Sequence, residues 1–247
     1  MTDYTRSAIH CLERKNIPFI LVSARSPSGI YPILKKNSFS CPIISYSGAL
    51  ICDKNKNLIY QKGMDISTAS NIIEYIKEQK FDLTWNLFSF NDWISQSKND
   101  PRIQEEERIV EAESCEGDIS SLQKYNVVHK ILCMCNPDEI NIIESKISKK
   151  FPECMVVKSS PKLLEIMTAG INKAESVKYL CDQWNINLKD VIAFGDNYND
   201  CEMLETVGHG IVMGNSPEDI KKRFSEITLD NNNDGIPYAL RKYHIID

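Results

Sequence analysis

The stretch Val191-Ile192-Ala193-Phe194-Gly195-Asp196-Asn197-Tyr198-Asn199-Asp200 joins a short apolar run to a glycine and a cluster of oxygen-bearing side chains. A continuous apolar run that ends at a glycine is typical of a strand buried on both faces of a parallel sheet. Asp196, Asn199 and Asp200 then lie at the carboxyl end of that strand, where open α/β sheets bind ligands. One of them would suffice to cap the next helix. Three together favour a site for Mg²⁺, which prefers oxygen ligands.

The bulk properties limit the class of protein. A chain of 247 residues can hold one large domain or two modest ones, and its net charge of -5 argues against a surface for nucleic acid or anionic membranes. It has no apolar run long enough to span a membrane and no apolar segment typical of a signal peptide at its first residues. We therefore expect a cytoplasmic protein.

The nine cysteines show no Cys-x-x-Cys spacing and lie mostly within apolar runs. This usage favours reduced thiols that act as small core residues, as in a cytoplasmic protein. A zinc site built from Cys133, Cys135 and distant partners is the weaker alternative.

The order of predicted elements divides the chain into two parts. Strands and helices alternate in residues 1–63 and again in 169–247, which predicts a parallel sheet with helices on both faces. Residues 64–168 have a mixed α+β pattern and are expected to form a separate, inserted domain. The predicted strands of the first part lie at 18–23, 42–45, 190–195, 210–213 and 226–229, with a hairpin over 49–60 and helices at 4–15, 28–36, 172–186, 199–206, 216–224 and the C-terminus.

The inserted domain is rich in aromatic side chains over one short stretch, namely Trp85, Phe88, Phe90 and Trp93. Two interpretations remain open for them. They either pack in the core of the insert or line a substrate pocket.

Two further positions fit a phosphate site. Ser23 follows the predicted strand 18–22, so its hydroxyl and the amides of the loop can donate to a phosphate oxygen. Lys173 begins a predicted helix, where a lysine is unfavourable for the helix dipole and an anion is favourable. Taken singly, Ser23 is also explained as a turn residue and Lys173 as a solvated side chain.

Taken together and in this order, three segments resemble motifs II, III and IV of the haloacid dehalogenase superfamily: Ser23-Ala24-Arg25, Asn172-Lys173 and the stretch from Gly195 to Asp200. The resemblance is closest to the type IIB, Cof-like phosphatases. It extends to the segments around Gly48, Asn215 and Gly235, and so over nearly the whole chain. It implies a Rossmann-like parallel-sheet core (residues 1–63 and 169–247) with an inserted α+β cap domain of type C2B (residues 64–168).

The resemblance also implies an activity and its residues. The expected reaction is Mg²⁺-dependent hydrolysis of sugar phosphates or other small phosphate monoesters, so the expected partner is a small phosphorylated metabolite. Asp196, Asn199 and Asp200 would hold the ion, while Ser23, Ala24 and Asn199 would bind the phosphate. Lys173 would neutralise the phosphate charge and orient the carboxylates, and with Asp200 would count as catalytic. These side chains are expected to face one pocket between core and cap.

One motif of the family is not found. Its chemistry starts with an apolar strand ending in Asp-x-Asp-Gly-Thr, whose first aspartate is the nucleophile and whose second is the general acid. Here only Met1-Thr2-Asp3 precedes the first helix, and Asp3 is expected to be a helix cap.

The absence of this motif therefore predicts a chain truncated at its N-terminus, with little or no activity as it stands. It also predicts that strands 18–22 and 190–195 have no common neighbour. The alternative is a catalytically inactive remnant that acts as a weak phosphate-ester binder or as a partner protein.

Overall fold

The computed structural model describes residues 1–247. The chain divides into two compact units. The first contains residues 1–23, 33–59 and 172–247, and the second contains residues 24–32 and 60–171. The short segment 24–32, which follows Ser23 directly, thus groups with the second unit.

The regular elements alternate as expected for an α/β chain with an α+β insert. The strands are β1 (Leu21–Val22), β2 (Ile43–Ser45), β3 (Leu50–Cys52), β4 (Leu58–Gln61), β5 (Leu83–Ser89), β6 (Asp92–Ser95), β7 (Cys115–Glu116), β8 (Lys130–Cys135), β9 (Cys154–Ser160), β10 (Leu163–Thr168), β11 (Ile192–Gly195) and β12 (His209–Val212). The helices are α1 (Asp3–Arg14), α2 (Pro27–Lys36), α3 (Ile66–Gln79), α4 (Pro101–Val110), α5 (Ile140–Lys150), α6 (Lys173–Trp184), α7 (Cys201–Thr206), α8 (Glu218–Lys221) and α9 (Gly235–Lys242).

The strands of the first unit form two separate sheets. One has the order β1-β2-β3-β4, with β1 and β2 parallel, and the other is the parallel pair β11-β12. β1 and β11 are each an edge strand and share no hydrogen-bond ladder. This agrees with the prediction that the two strands have no common neighbour.

Three elements are shorter than the sequence pattern predicts. β1 covers only Leu21 and Val22, because these two residues alone pair with β2. The strand predicted at 226–229 is a single parallel bridge from Ile227 to Val212. α8 begins after Pro217 and ends in a tighter turn, where Arg223 N donates to Ile220 O at 2.9 Å.

The cap of α1 corrects one prediction. Thr2, and not Asp3, is the N-cap residue, because the Thr2 side chain accepts a hydrogen bond from Thr5 N at 3.1 Å. Asp3 lies in the first turn, where its charge favours the helix dipole, and pairs with Arg6. The threonine cap is further held by Asp234, whose Oδ1 accepts from the Thr2 hydroxyl.

The second unit is built on a six-stranded sheet of order β7-β6-β5-β8-β10-β9. All its neighbouring strands are antiparallel except β6 and β7. One hydrophobic cluster joins side chains of β5, β8 and β10 to those of α3 and α5. Trp85 belongs to this cluster, and Phe88 stacks on Trp93 with ring centroids 5.4 Å apart. For Trp85 the core interpretation is therefore confirmed.

Most of the cysteines are buried in the fold. All nine are free and seven are buried. Burial raises the pKa of Cys41 and that of Cys135 to about 12, so both thiols stay protonated and poorly nucleophilic. The core interpretation is confirmed for the seven buried cysteines. None of the helices is both long enough and apolar enough to cross a membrane.

Candidate functional site

A close backbone approach shapes the end of β11. A Cβ atom placed on Gly195 would lie 2.4 Å from the Cβ of Asp200, so only glycine fits at this position. The chain then turns through a short 3-10 helix, residues 198–200, before α7 begins. Asn197 caps this turn, its side chain accepting from Tyr198 N at 2.8 Å.

Asp200 is buried and fully engaged. Its Oδ1 accepts from Lys173 Nζ at 2.6 Å, and its Oδ2 accepts from the backbone amides of Asp196 and Asn197 at 3.0 and 3.1 Å. A buried carboxylate requires this combination of a counter-ion and hydrogen bonds. Asp200 therefore holds in place both the Lys173 ammonium and the backbone amide of Asp196.

Lys173 is the first residue of α6 and only 6 % exposed. The Asn172 side chain caps the helix by accepting from Glu175 N at 2.7 Å. A lysine at this end of a helix gains nothing from the helix dipole. Its ion pair with Asp200 gives the physical reason for its position.

Asp196, in contrast, is exposed. Its Oδ2 accepts from Asn215 Nδ2 at 2.8 Å, and Asn215 Oδ1 accepts from Asn231 N at 3.1 Å. Asn215 thus holds the Asp196 carboxylate in one orientation.

The sequence reasoning did not identify Asn215 as a site residue, although a signal for it exists. Val212 pairs with Gly195 in the parallel register of β11 and β12. Asn215 lies three residues after the end of β12, and Asp196 lies one residue after the end of β11. The strand-end argument applied to Asp196 therefore covers Asn215 too.

Asn199 and Tyr198 are both exposed on the 3-10 turn. The Tyr198 hydroxyl donates to Asp219 Oδ2 at 3.0 Å, which ties the turn to α8. This hydrogen bond to a carboxylate raises the pKa of Tyr198, so the phenol stays protonated.

Ser23 follows β1, in the other sheet of the first unit. Its N–H donates to Ile44 O at 2.8 Å, and its carbonyl accepts from Ser47 N at 3.0 Å. Ser47 has a left-handed backbone with φ 54°. The next residue, Ala24, belongs to the second unit, where its carbonyl accepts from Lys130 Nζ at 3.3 Å.

The structure thus brings Lys173, Asp196 and Asp200 together and places Asn199 on the same turn. Ser23 and Ala24 lie on a different loop, and the meeting of all these side chains at one pocket stays a prediction.

The residues at the end of β11 fit a Mg²⁺ ion bound through few protein ligands. No three His, Cys, Asp or Glu side chains of residues 1–247 form a group that could hold a metal. Mg²⁺, however, is commonly bound through one or two carboxylates together with waters and substrate phosphate oxygens. Asp196 offers such a carboxylate, because only its Oδ2 is held by Asn215. Asp200 is less suitable as a direct ligand, since both its oxygens already accept from the protein.

Comparisons with known proteins show the family of this chain. A family model described as haloacid dehalogenase-like hydrolase matches residues 1–240. A Haemophilus influenzae protein named "Putative phosphatase" is 32% identical over 231 residues, which cover 94% of this chain and 87% of that protein. The crystal structure of a haloacid dehalogenase-like hydrolase from Bacteroides thetaiotaomicron is 26% identical, with a TM-score of 0.89 over 98% of this chain and 92% of that chain.

A sugar phosphatase of haloacid dehalogenase subclass IIB is only 16% identical but has the same fold, with a TM-score of 0.80 over 100% of this chain and 93% of that chain. The predicted fold, an α/β core of the haloacid dehalogenase type with a cap domain, is confirmed by these neighbours. The chain belongs to the haloacid dehalogenase-like hydrolase family.

Proposed function

We propose that the protein acts in the Mg²⁺-dependent hydrolysis of small phosphate monoesters, with sugar phosphates as the leading substrate class. One observation carries this proposal. Asp200, which pairs with the buried Lys173, also accepts from the backbone N–H of Asp196, the residue whose exposed carboxylate follows a parallel strand. The ammonium of Lys173 and the carboxylate of Asp196, each held by neighbouring side chains near the end of β11, would suit the binding of a phosphate group together with a metal ion. The name of one relative, "Putative phosphatase", supports hydrolysis of a phosphate ester. The sugar phosphatase that shares the fold is the reason to test sugar phosphates first.

Each residue of the site would have a distinct role. Asp196 would hold the ion, with Asn199 of the same turn as a further oxygen ligand. Mg²⁺, when bound, draws negative charge from the phosphate oxygens. Lys173 adds a positive charge kept in place by Asp200, and the Ser23 hydroxyl and the Ala24 amide would donate to the phosphate. Phosphoryl transfer depends mainly on such positioning and charge stabilisation.

The division of labour between the domains is also part of the proposal. A core of residues 1–63 and 169–247 would carry the phosphate site, and a cap of residues 64–168 would select the rest of the substrate. The two compact units support this division, since Lys173, Asp196 and Asp200 all lie in the first unit and the six-stranded sheet lies in the second.

Binding tests this function separately from turnover, which matters because residues 1–247 contain no Asp-x-Asp-Gly-Thr motif. Mn²⁺ binding, followed by electron paramagnetic resonance, should disappear in Asp196→Asn. Calorimetric binding of inorganic phosphate should weaken about tenfold or more in Lys173→Met, as expected for loss of a charge-assisted contact.

A matched control lies on the same helix. Lys178 is about half exposed and pairs with Glu175, so Lys178→Met should leave both binding constants unchanged. Mn²⁺ binding that survives in Asp196→Asn would rule out the assignment of Asp196 as the metal ligand. Phosphate binding that is equal in Lys173→Met and Lys178→Met would rule out a phosphate site at Lys173.

A further inference from the structure

Lys130 is a buried lysine in the second unit whose surroundings are unusual. It begins β8, which is otherwise apolar, and is 7% exposed. Its Nζ lies 3.3 Å from Ala24 O, 3.7 Å from Glu165 Oε2 and 5.3 Å from the centroid of the Phe88 ring. The contact with Ala24 O is a hydrogen bond, Glu165 is an ion-pair partner, and Phe88 presents the face of its ring to the cation. Lys130 is therefore held inside the protein.

The closest of the three contacts points to a role beyond pairing. Leu132 is opposite Glu165 in the register of β8 and β10, so Lys130 and Glu165 are only diagonal neighbours across the strands. Burial of a lysine costs free energy that such a loose pair compensates poorly. The shorter hydrogen bond goes to the backbone of Ala24, the residue directly after Ser23.

Peptide geometry gives this hydrogen bond a consequence. The carbonyl of Ala24 and the N–H of Arg25 belong to one planar peptide unit, and no peptide bond in the chain is cis. A donor that fixes the carbonyl therefore directs the Arg25 N–H to the opposite side. The preceding peptide is fixed in the same manner, because Ser47 N donates to Ser23 O and so directs the N–H of Ala24.

We infer that Lys130 is a positioning residue for the phosphate-binding loop. It orients the peptide between Ala24 and Arg25, as Ser47 orients the peptide before it, so that the amides after Ser23 are set for a phosphate oxygen. The role inferred for Lys130 is to orient this peptide and not to bind the phosphate itself, because the lysine is buried and Glu165 balances its charge. This inference rests on the proposed function, which places phosphate at Ser23.

The test measures binding of inorganic phosphate to residues 1–247 by calorimetry in the presence of Mg²⁺, with the melting temperature of each variant recorded beside it. Lys130→Met keeps the length of the side chain and removes the donors. It should weaken phosphate binding about tenfold, the loss expected for a charge-assisted hydrogen bond. Because Lys130 and Ser23 act on one loop, Ser23→Ala combined with Lys130→Met should weaken binding by less than the product of the two single effects.

Two controls separate positioning from stability. Lys162→Met removes a half-exposed lysine that pairs with Glu105 in the same unit, and should leave phosphate binding unchanged. Glu165→Gln breaks the ion pair but keeps the contact from Lys130 to Ala24, so it should lower the melting temperature and retain phosphate binding. If Lys130→Met fails to fold, Lys130→Met with Glu165→Leu removes both buried charges and tests the same loss of phosphate affinity.

The outcomes are distinguishable. If Ser23→Ala weakens phosphate binding and Lys130→Met does not, the inference is wrong and the proposed function stands. If Glu165→Gln weakens binding as much as Lys130→Met, Lys130 acts only through stability and the inference is again wrong. If the unmodified protein binds no phosphate, the proposed function fails and the inference falls with it.

Discussion

Lys173 and Asp200 carry opposite charges in a buried position, where either charge alone would destabilise the folded protein. Their side chains are 7% and 8% exposed, and the Nζ to Oδ1 distance is 2.6 Å. Removing one member of such a buried pair leaves the other charge without compensation, which costs far more than losing an exposed pair. The pair is thus the part of the site most tightly linked to folding.

Asp200→Ala is expected to destabilise the protein strongly, by about 3 to 5 kcal/mol, the range for breaking a buried ion pair. Glu175→Ala removes the partner of Lys178 in an exposed pair of the same helix and should cost less than about 1 kcal/mol. Urea unfolding measures both changes in free energy. Equal changes in the free energy of unfolding would contradict the conclusion that burial makes the Lys173–Asp200 pair costly to break.

Asn215→Ala is expected to weaken Mn²⁺ binding about tenfold, because groups that orient a metal ligand typically contribute this much affinity. The control is Asn231→Ala. Asn231 contacts Asn215 through its backbone N–H, so this substitution removes a side chain and keeps the contact. Electron paramagnetic resonance of Mn²⁺ gives both affinities. An unchanged affinity in Asn215→Ala would mean that Asp196 needs no orienting partner.

The residues of the site were predictable from sequence to different degrees. Asp196 and Asp200 follow from a strand-end pattern that is local in the chain, and Lys173 follows from an unfavourable position at a helix start. Asn215 follows from the same strand-end pattern, although the sequence reasoning did not apply that pattern to it. Lys130 acts through a contact with Ala24, 106 residues away in the chain. No local pattern marks a contact of that kind.

At the scale of elements, periodicity located most helices and strands but not where they end. A strand ends where its ladder partners end, as β1 shows, and a helix begins where a side chain can cap it, as Thr2 does in place of Asp3. Both depend on neighbours that hydrophobic periodicity does not describe. The turn at Gly48 is a similar case, because it packs closely against Asn172 and accepts a hydrogen bond from Ser176 of α6, 128 residues later in the chain.

Gly48→Ala is expected to destabilise the protein by about 2 kcal/mol or more, since backbone strain and a steric clash add together. Gly48 has φ 118°, and a Cβ there would lie 2.4 Å from Asn172 O, the residue that caps the helix of Lys173. Gly29→Ala is the control, because a Cβ in α2 would meet its nearest neighbour at 3.6 Å. That change should stabilise the protein by up to about 1 kcal/mol through helix propensity. A higher melting temperature for Gly48→Ala than for Gly29→Ala would contradict the predicted clash at Gly48.

The start of β8 should make stability depend on pH. Burial lowers the pKa of His129 from 6.5 to about 4, so the folded protein resists protonation that the unfolded chain accepts. The unfolded state then binds more protons between pH 4 and 6.5, and stability should be full above pH 6.5 and decrease as the pH falls through this window. The expected contribution is about 3 kcal/mol.

Urea unfolding across this pH range measures the effect. His129→Asn keeps an acceptor for the Phe90 N–H, which now donates to His129 Nδ1, and should flatten the dependence of stability on pH. His244→Asn, at an exposed position with a left-handed backbone that asparagine tolerates, should leave the dependence as it is. If the free energy of unfolding depends on pH equally in the unsubstituted protein and in both variants, His129 is not the source of that dependence.

At the scale of the molecule, the change from alternating strands and helices to a mixed α+β pattern predicted an inserted region, and the structure has two compact units. The grouping of residues 24–32 with the second unit was not predictable. This segment follows a strand of the first unit directly, and only contacts such as that between Ala24 and Lys130 assign it elsewhere. Ser23, at the start of the loop proposed to bind phosphate, is thus the last residue of its segment of the first unit.

The open edges of β1 and β11 lead to the prediction about turnover. A further parallel strand could pair with the open edge of β1 or of β11, and it would end at a carboxyl edge, where Ser23 and Asp196 follow their own strands. The family motif Asp-x-Asp-Gly-Thr ends such a strand. We expect residues 1–247 to hydrolyse p-nitrophenyl phosphate barely above background even with saturating Mg²⁺, because no carboxylate of this motif is present to attack.

Joining a strand that ends in Asp-x-Asp-Gly-Thr to residue 1 should bring turnover, measured as release of p-nitrophenol. The same protein with the first aspartate of the added motif replaced by asparagine is the control and should stay at background. Asp196→Ala in the active form should abolish hydrolysis, since the metal then loses its carboxylate ligand. Rapid Mg²⁺-dependent hydrolysis by residues 1–247 alone, lost on Asp196→Ala, would show that another side chain of this chain is the nucleophile. The role assigned to the added motif would then be wrong, while the role of Asp196 would stand.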